Sequence, residues 1–182
     1  EKISGIEVLV VRSTEVTSEV FEKSDSLGLV VRSGAGVNTI DCQAAADFGV
    51  YVCNVPGTNS IAVAELTMGL MIAIDRHIPS ATADLKEGKW NKKMYSKAQG
   101  LFGKTIGIIG LGEIGLAVAE RAKSFGMTVI AKKATRKPEA ESKIRSTGIK
   151  LVDTIEDLIE ESDVISIHIP SDSETKNFVD KE

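Results

Sequence analysis

Residues 105 to 115 read Thr-Ile-Gly-Ile-Ile-Gly-Leu-Gly-Glu-Ile-Gly, a short apolar strand that passes into a Gly-x-Gly-x-x-Gly turn. A helix-period stretch, Glu113 to Phe125, follows at once. In that strand–turn–helix setting the three glycines have separate tasks. Gly110 permits the tight turn, Gly112 lets the backbone come close to a pyrophosphate, and Gly115 lets the helix pack on the strand. The N–H groups of Glu113 and Ile114, at the positive dipole end of the helix, then meet the phosphates. The Glu113 side chain is read as solvated, because a carboxylate aimed at phosphates would repel them. The turn predicts a dinucleotide site.

The rest of the chain fits the same architecture. Strand-like runs at Val8–Val11, Leu29–Val31, Val50–Cys53, Ile106–Ile109, Thr128–Ala131, Ile149–Val152 and Val164–Ile169 are nearly continuous in Val, Ile and Leu, as strands buried on both faces are. Helical segments fall between them, so the pattern predicts parallel sheets covered on both sides. Asn38 is the expected cap of a helix over Asp41–Phe48, with Asp41 as its capping-box partner, and Thr154 with Asp157 repeats that signature. A long, nearly all-apolar helix starting near Ser60 is expected to be buried, and Pro79 to kink or end it. The lysine-rich stretch from Gly88 to Lys97 has no period and suggests a domain boundary near Ala98, with Trp90 as a packing anchor and His77 as a structural residue.

Composition sets limits. With 182 residues, 42% hydrophobic and 26% charged, the chain is ordinary for a globular protein of one or two domains. A net charge of −4 gives no reason to expect nucleic acid, and no apolar run reaches a membrane span. Cys42 and Cys53 lack metal or redox spacing and read as reduced, partly buried thiols. The chain opens without methionine and stops just after a strand, so it is read as an internal fragment of a longer, cytoplasmic protein, with an organelle left open.

Three further segments join the glycine turn: Val31-Arg-Ser-Gly-Ala-Gly-Val-Asn-Thr-Ile-Asp41, Asn54-Val-Pro-Gly-Thr-Asn-Ser-Ile-Ala-Val-Ala-Glu-Leu66 and Val164-Ile-Ser-Ile-His-Ile-Pro170. In this order and spacing the chain resembles the D-isomer-specific 2-hydroxyacid dehydrogenases, and within them the phosphoglycerate dehydrogenases. The resemblance implies an α/β fold of two Rossmann-like parallel-sheet domains with a cleft between them. A flavodoxin-like substrate-binding domain would be partial at residues 1–98. An NAD(P)-binding domain would be present as its first half at residues 99–182. It also implies hydride transfer between a nicotinamide cofactor and a small 2-hydroxy acid, as in the oxidation of 3-phosphoglycerate at the start of serine synthesis. No metal is implied, and the full-length parent is expected to be a homodimer or higher homo-oligomer, with Lys92 and Lys93 near a neighbour's site.

Residue by residue, Arg12 and Ser13 follow the first strand, and the family match points them at the substrate phosphate, where an arginine fork suits the geometry. Arg32, Ser33 and Gly34 end the second strand. The Gly34-Ala-Gly36 turn can expose N–H groups as an anion nest. In the family it holds the substrate carboxylate, with Ala35 near the cofactor. Asn59 caps the long helix or reaches the substrate. His168, Ile169 and Pro170 line the cofactor site by the same match, His168 being a packed residue rather than the catalytic base. The family's catalytic arginine, glutamate and histidine have no counterpart in this sequence, so the chain alone is expected to be inactive.

One position departs from the pattern. NAD-selective members carry an acidic residue for the ribose 2′-hydroxyl about where Lys133 stands, and lysine cannot accept those hydrogen bonds. With Lys132, Arg136 and Lys137 it would attract a 2′-phosphate, so both NAD and NADP stay open as cofactors. Other functions also stay open: a glyoxylate or hydroxypyruvate reductase of the same family, a non-catalytic NAD(H)-sensing corepressor of this fold, and, more remotely, an S-adenosylmethionine-dependent methyltransferase.

Overall fold

The apolar runs do form the strands. A computed structural model describes residues 3–132, 142, 144, 146–170 and 175–180. The chain divides into two compact units, one of residues 1–59 with 170–182 and one of residues 60–169.

In the first unit β1 (Val8–Val11), β2 (Leu29–Arg32) and β3 (Tyr51–Asn54) make a parallel sheet in the order β1-β2-β3. Val11 pairs with Arg32, and Arg32 with Asn54, so all three strands end at one level. Two short helices, α1 (Ser18–Glu22) and α2 (Cys42–Asp47), connect them. Phe21, Val30, Ala45 and Val16 form the heart of the core beneath the sheet. Full burial of a side chain the size of Phe21 contributes about 2 kcal/mol.

The second unit starts with α3 (Ser60–Asp75), α4 (Ile78–Lys86) and α5 (Lys92–Tyr95). Its sheet holds β4 (Thr105–Ile109), β5 (Thr128–Lys132), β6 (Lys150–Val152) and β7 (Val164–Ile167), all parallel, in the order β6-β5-β4-β7. The helix α6 (Glu113–Ser124) joins β4 to β5, and α7 (Ile155–Glu161) joins β6 to β7. One face is covered by α3 and α6 through Ala64, Met68, Ile106, Ile108 and Val118. The other is covered by α7, whose Leu158 packs on Ile109, Ile130 and Val152. From β4 the sheet grows one way through β5 and β6 and the other way through β7. That reversal beside β4 is where doubly wound sheets open a crevice for ligands.

Several expectations are corrected. The compact units part at Ser60, because α3 packs its small and apolar side on α6. Among the described residues, the first sheet is covered on one face only. Val8, Val10 and Tyr51 point to the other, with Val10 65% and Tyr51 78% exposed. The long helix is likewise half-covered, its Ile61, Leu66, Leu70 and Ile74 being exposed. It ends at Asp75, and Pro79 sits in the first turn of α4, where a missing N–H costs nothing. His77, in left-handed conformation, stands at the N-cap position of that helix without a side-chain capping hydrogen bond. Trp90 anchors no core, being 77% exposed, and Cys42 and Cys53 are both exposed. The cap of α2 is Asp41 itself, whose carboxylate accepts from the Ala44 N–H at 2.9 Å, in place of Asn38. The Thr154–Asp157 capping box forms as expected.

Candidate functional site

Each unit ends its parallel strands at an edge that carries the residues singled out in the sequence. In the second unit the edge is the glycine turn after β4. Gly110 has φ +97°, a region open to glycine at little cost, and a Cβ there would also collide with the carbonyl of His168. A Cβ on Gly115 would collide with the Gly110 carbonyl, so the start of α6 lies directly on the turn. Gly112 differs from both. Its φ of −79° suits any residue, and a Cβ would meet nothing within 4 Å.

Among the described residues, packing therefore gives no reason for glycine at position 112, whereas a phosphate approaching the backbone does. Gly112 is the N-cap of α6, and no side chain caps that end. The first-turn amides of Glu113, Ile114 and Gly115 are left for an anion at the positive end of a twelve-residue helix. The residues present thus fit a dinucleotide pyrophosphate.

Beside this turn β7 continues the ladder past its end, His168 N–H donating to the Ile109 carbonyl at 2.7 Å. The His168 Nε2 lies 2.8 Å from the Ser166 hydroxyl, two residues back on the same face of the strand. Burial holds the imidazole below its ordinary pKa, favouring the neutral form. Ile169 packs against the cluster around Leu158. Lys132 ends β5 exposed, and Lys133, on which the cofactor's 2′ end was expected to depend, lies outside the described residues.

In the first unit the edge is formed by the ends of β1, β2 and β3. Arg12 and Ser13 follow β1 and are exposed. Arg32 ends β2, and its Nε donates to the Arg12 carbonyl at 3.0 Å, which sets the two arginine residues side by side. The guanidinium lies back over Gly34, where a Cβ would collide with it. Ser33 N–H donates to the Val11 carbonyl at 2.7 Å. Neither Gly34 nor Gly36 has a positive φ, so the turn is not the alternating right- and left-handed nest that its glycines suggested.

Asn54, at the end of β3, was not singled out in the sequence. Its side-chain amide donates to the Ala35 carbonyl at 2.7 Å, and the next N–H, of Val55, donates to the Gly34 carbonyl at 3.0 Å. The signal available was its place just before the Pro56-Gly57 turn, level with Arg32. Asn59 is exposed and, among the described residues, its side chain makes no hydrogen bond to the first turn of α3. Among the described residues no cluster of His, Cys, Asp and Glu could hold a metal ion, and no helix is long and apolar enough to cross a membrane.

Residues 68–182 match the family described as D-isomer specific 2-hydroxyacid dehydrogenase, NAD binding domain. The chain is 46% identical to the D-3-phosphoglycerate dehydrogenase of Methanocaldococcus jannaschii over 100% of its own length and 34% of that protein. It is 45% identical to the hydroxypyruvate reductase of Thermotoga maritima over 99% of its length and 56% of that protein. A solved acyclic imino acid reductase in complex with NADPH and D-Arg superposes with a TM-score of 0.79 at 32% identity, over 95% of this chain and 54% of that one. The chain thus spans between a third and just over half of these proteins. It belongs to the D-isomer-specific 2-hydroxyacid dehydrogenases.

Proposed function

We propose that the chain is part of an enzyme that transfers hydride between NAD(P) and a 2-hydroxy acid, with 3-phosphoglycerate oxidised to 3-phosphohydroxypyruvate as its reaction. The cofactor half of the proposal is carried by Gly112, a glycine for which the described residues give no packing or conformational reason, at the uncapped start of α6. When bound, the nicotinamide takes the hydride from C2 of the substrate. In this reading residues 1–98 contribute the substrate side and residues 99–182 the first half of the cofactor side. Ala35, His168, Ile169 and Pro170 line the cofactor.

The substrate half is supported by Arg12 and Arg32, held together at one strand edge by the Arg12 carbonyl. Two guanidinium groups suit a molecule carrying both a phosphate and a carboxylate. Ser13, Ser33, Gly34 and Asn59 complete that edge. Steady-state kinetics of the full-length protein test the reading: Arg12→Ala should raise KM for 3-phosphohydroxypyruvate at least tenfold and leave KM for hydroxypyruvate within about twofold. The 45% identity to a hydroxypyruvate reductase favours a second reading. It wins if hydroxypyruvate is the better substrate and Arg12→Ala changes neither KM.

For the cofactor's 2′ end, Lys133 is proposed to favour the phosphate of NADP. Dissociation constants for NADH and NADPH, with Lys133→Asp, test this; a preference for NADH unchanged by the substitution sinks it. The full-length protein is proposed to be a homodimer or higher homo-oligomer, supported by the exposed Ile61, Leu66, Leu70, Ile74 and Trp90 along α3 and before α5. A monomeric sedimentation coefficient would reject that.

A further inference from the structure

We infer that Asn54 is a positioning residue, whose side-chain amide turns the Ala35–Gly36 peptide so that its N–H faces a bound carboxylate. The argument starts from the peptide unit. No cis peptide is present, so the C=O of residue i and the N–H of residue i+1 point in opposite directions across each planar bond. At this turn both relevant carbonyls are drawn toward the end of β3. The Gly34 carbonyl accepts from the Val55 N–H at 3.0 Å, and the Ala35 carbonyl accepts from the Asn54 side chain at 2.7 Å.

The partners of those two carbonyls across their peptide bonds are the N–H groups of Ala35 and Gly36. Both must point away from β3, and among the described residues neither donates to a protein acceptor. Two adjacent amides aimed the same way form a two-pronged donor set for the two oxygens of a carboxylate. The glycine flanks alone do not produce this arrangement, since Gly34 and Gly36 keep negative φ. The Gly34 peptide is fixed by backbone and is beyond the reach of side-chain change. The Ala35 peptide is fixed by one side chain. Register explains why that side chain arrives there: Asn54 pairs with Arg32, two residues before Gly34.

The inference rests on the proposed reading of this edge as the substrate site, and the test separates the two. Reduction of hydroxypyruvate by the full-length protein is compared in wild type, Asn54→Ala and Asn54→Asp. The aspartate keeps the shape but sets a carboxylate against the Ala35 carbonyl. The expected result is a KM for hydroxypyruvate raised about tenfold in Asn54→Ala and more in Asn54→Asp, with kcat and the dinucleotide KM within about twofold.

An unchanged hydroxypyruvate KM in both variants overturns the role of Asn54 and leaves the proposed activity standing. Equal rises in both KM values also overturn it, since a general loosening of the fold would do that. A second measurement needs neither turnover nor a folded variant. On titrating hydroxypyruvate into 15N-labelled wild type, the Ala35 and Gly36 amide protons should shift downfield together. Unmoved amides overturn the inference even if turnover is found.

Discussion

The turn after β4 and the turn after β2 both carry Gly-x-Gly at the carboxyl edge of a parallel sheet, and they use glycine for different reasons. After β4 the requirement lies in the backbone. Gly110 needs a positive φ, and both it and Gly115 abut main-chain carbonyls that cannot move aside. After β2 the requirement is a side chain: Gly34 has an ordinary φ and is crowded by the guanidinium of Arg32. The following helices differ in the same sense. The start of α6 has no side-chain cap, whereas α2 has its first turn occupied by Asp41. An anion can take the amides of α6; those of α2 already have a carboxylate.

Substitution by alanine should separate the two plans, with the largest effect at Gly110 and Gly115. At Gly110 the strained φ and the clash each cost on the order of 1–3 kcal/mol. A loss of about 3 kcal/mol lowers the melting temperature by roughly 10 °C in a chain of this size. Gly112→Ala should leave the melting temperature within about 2 °C and weaken dinucleotide binding tenfold or more, because its Cβ enters open space where the proposed pyrophosphate would lie. Equal melting losses at Gly110 and Gly112 would erase the distinction between a turn glycine and a ligand glycine.

The caps give the next largest contrast. Asp41→Ala removes the acceptor of the Ala44 N–H and should cost about 1 kcal/mol, or a few degrees of melting temperature. No corresponding loss is available at α6. Instead Gly112→Ser, which supplies a cap there, should hold or slightly raise the melting temperature while reducing affinity for NADH. A gain in both would mean that the helix start is not where the pyrophosphate lies.

The same contrast marks how far the sequence could be read. The turn after β4 was legible because strain and close approach both demand glycine, and glycine spacing is visible in the letters. So were the order of elements and the Thr154 capping box, which depend on neighbours a few residues apart, and the parallel pairing, which the strand–helix alternation implies. The open face of the first sheet was not. Val8 and Val10 in β1 and Tyr51 in β3 belong to apolar runs like Ile106–Ile109, yet they are exposed while Ile106 and Ile108 are fully buried. Apolarity records what a residue tolerates, and coverage depends on which helices pack across the sheet. Asn54 was missed for a related reason. Its partner lies nineteen positions away in the chain and comes within reach only through the register of β2 and β3.

A smaller effect separates the edges by pH. His168, beside the glycine turn, has its pKa lowered by burial, so the unfolded chain takes up a proton first as pH falls. The stability it contributes is complete above the ordinary histidine value of 6.5 and is lost as pH drops through the lower native value. Denaturant midpoints should therefore decline as pH falls below the ordinary histidine value of 6.5, and His168→Asn should flatten part of that decline. A steeper decline in the variant would show that the imidazole is charged in the native state.

The smallest change in stability is expected at Gly34, and it is the most discriminating for the first edge. A methyl group there collides with the end of a long, half-exposed side chain, which can swing away into solvent, so Gly34→Ala should alter stability by no more than about 0.5 kcal/mol. The displaced guanidinium would leave the Arg12 carbonyl, its recorded tether. KM for 3-phosphohydroxypyruvate should then rise several-fold, with dinucleotide affinity unchanged. The companion variant Arg32→Ala removes the same guanidinium without adding the methyl group, so the two should raise KM to a similar degree and add little when combined. Additive effects would show that Gly34 serves the turn itself, and the two glycine turns would then be built on one plan after all.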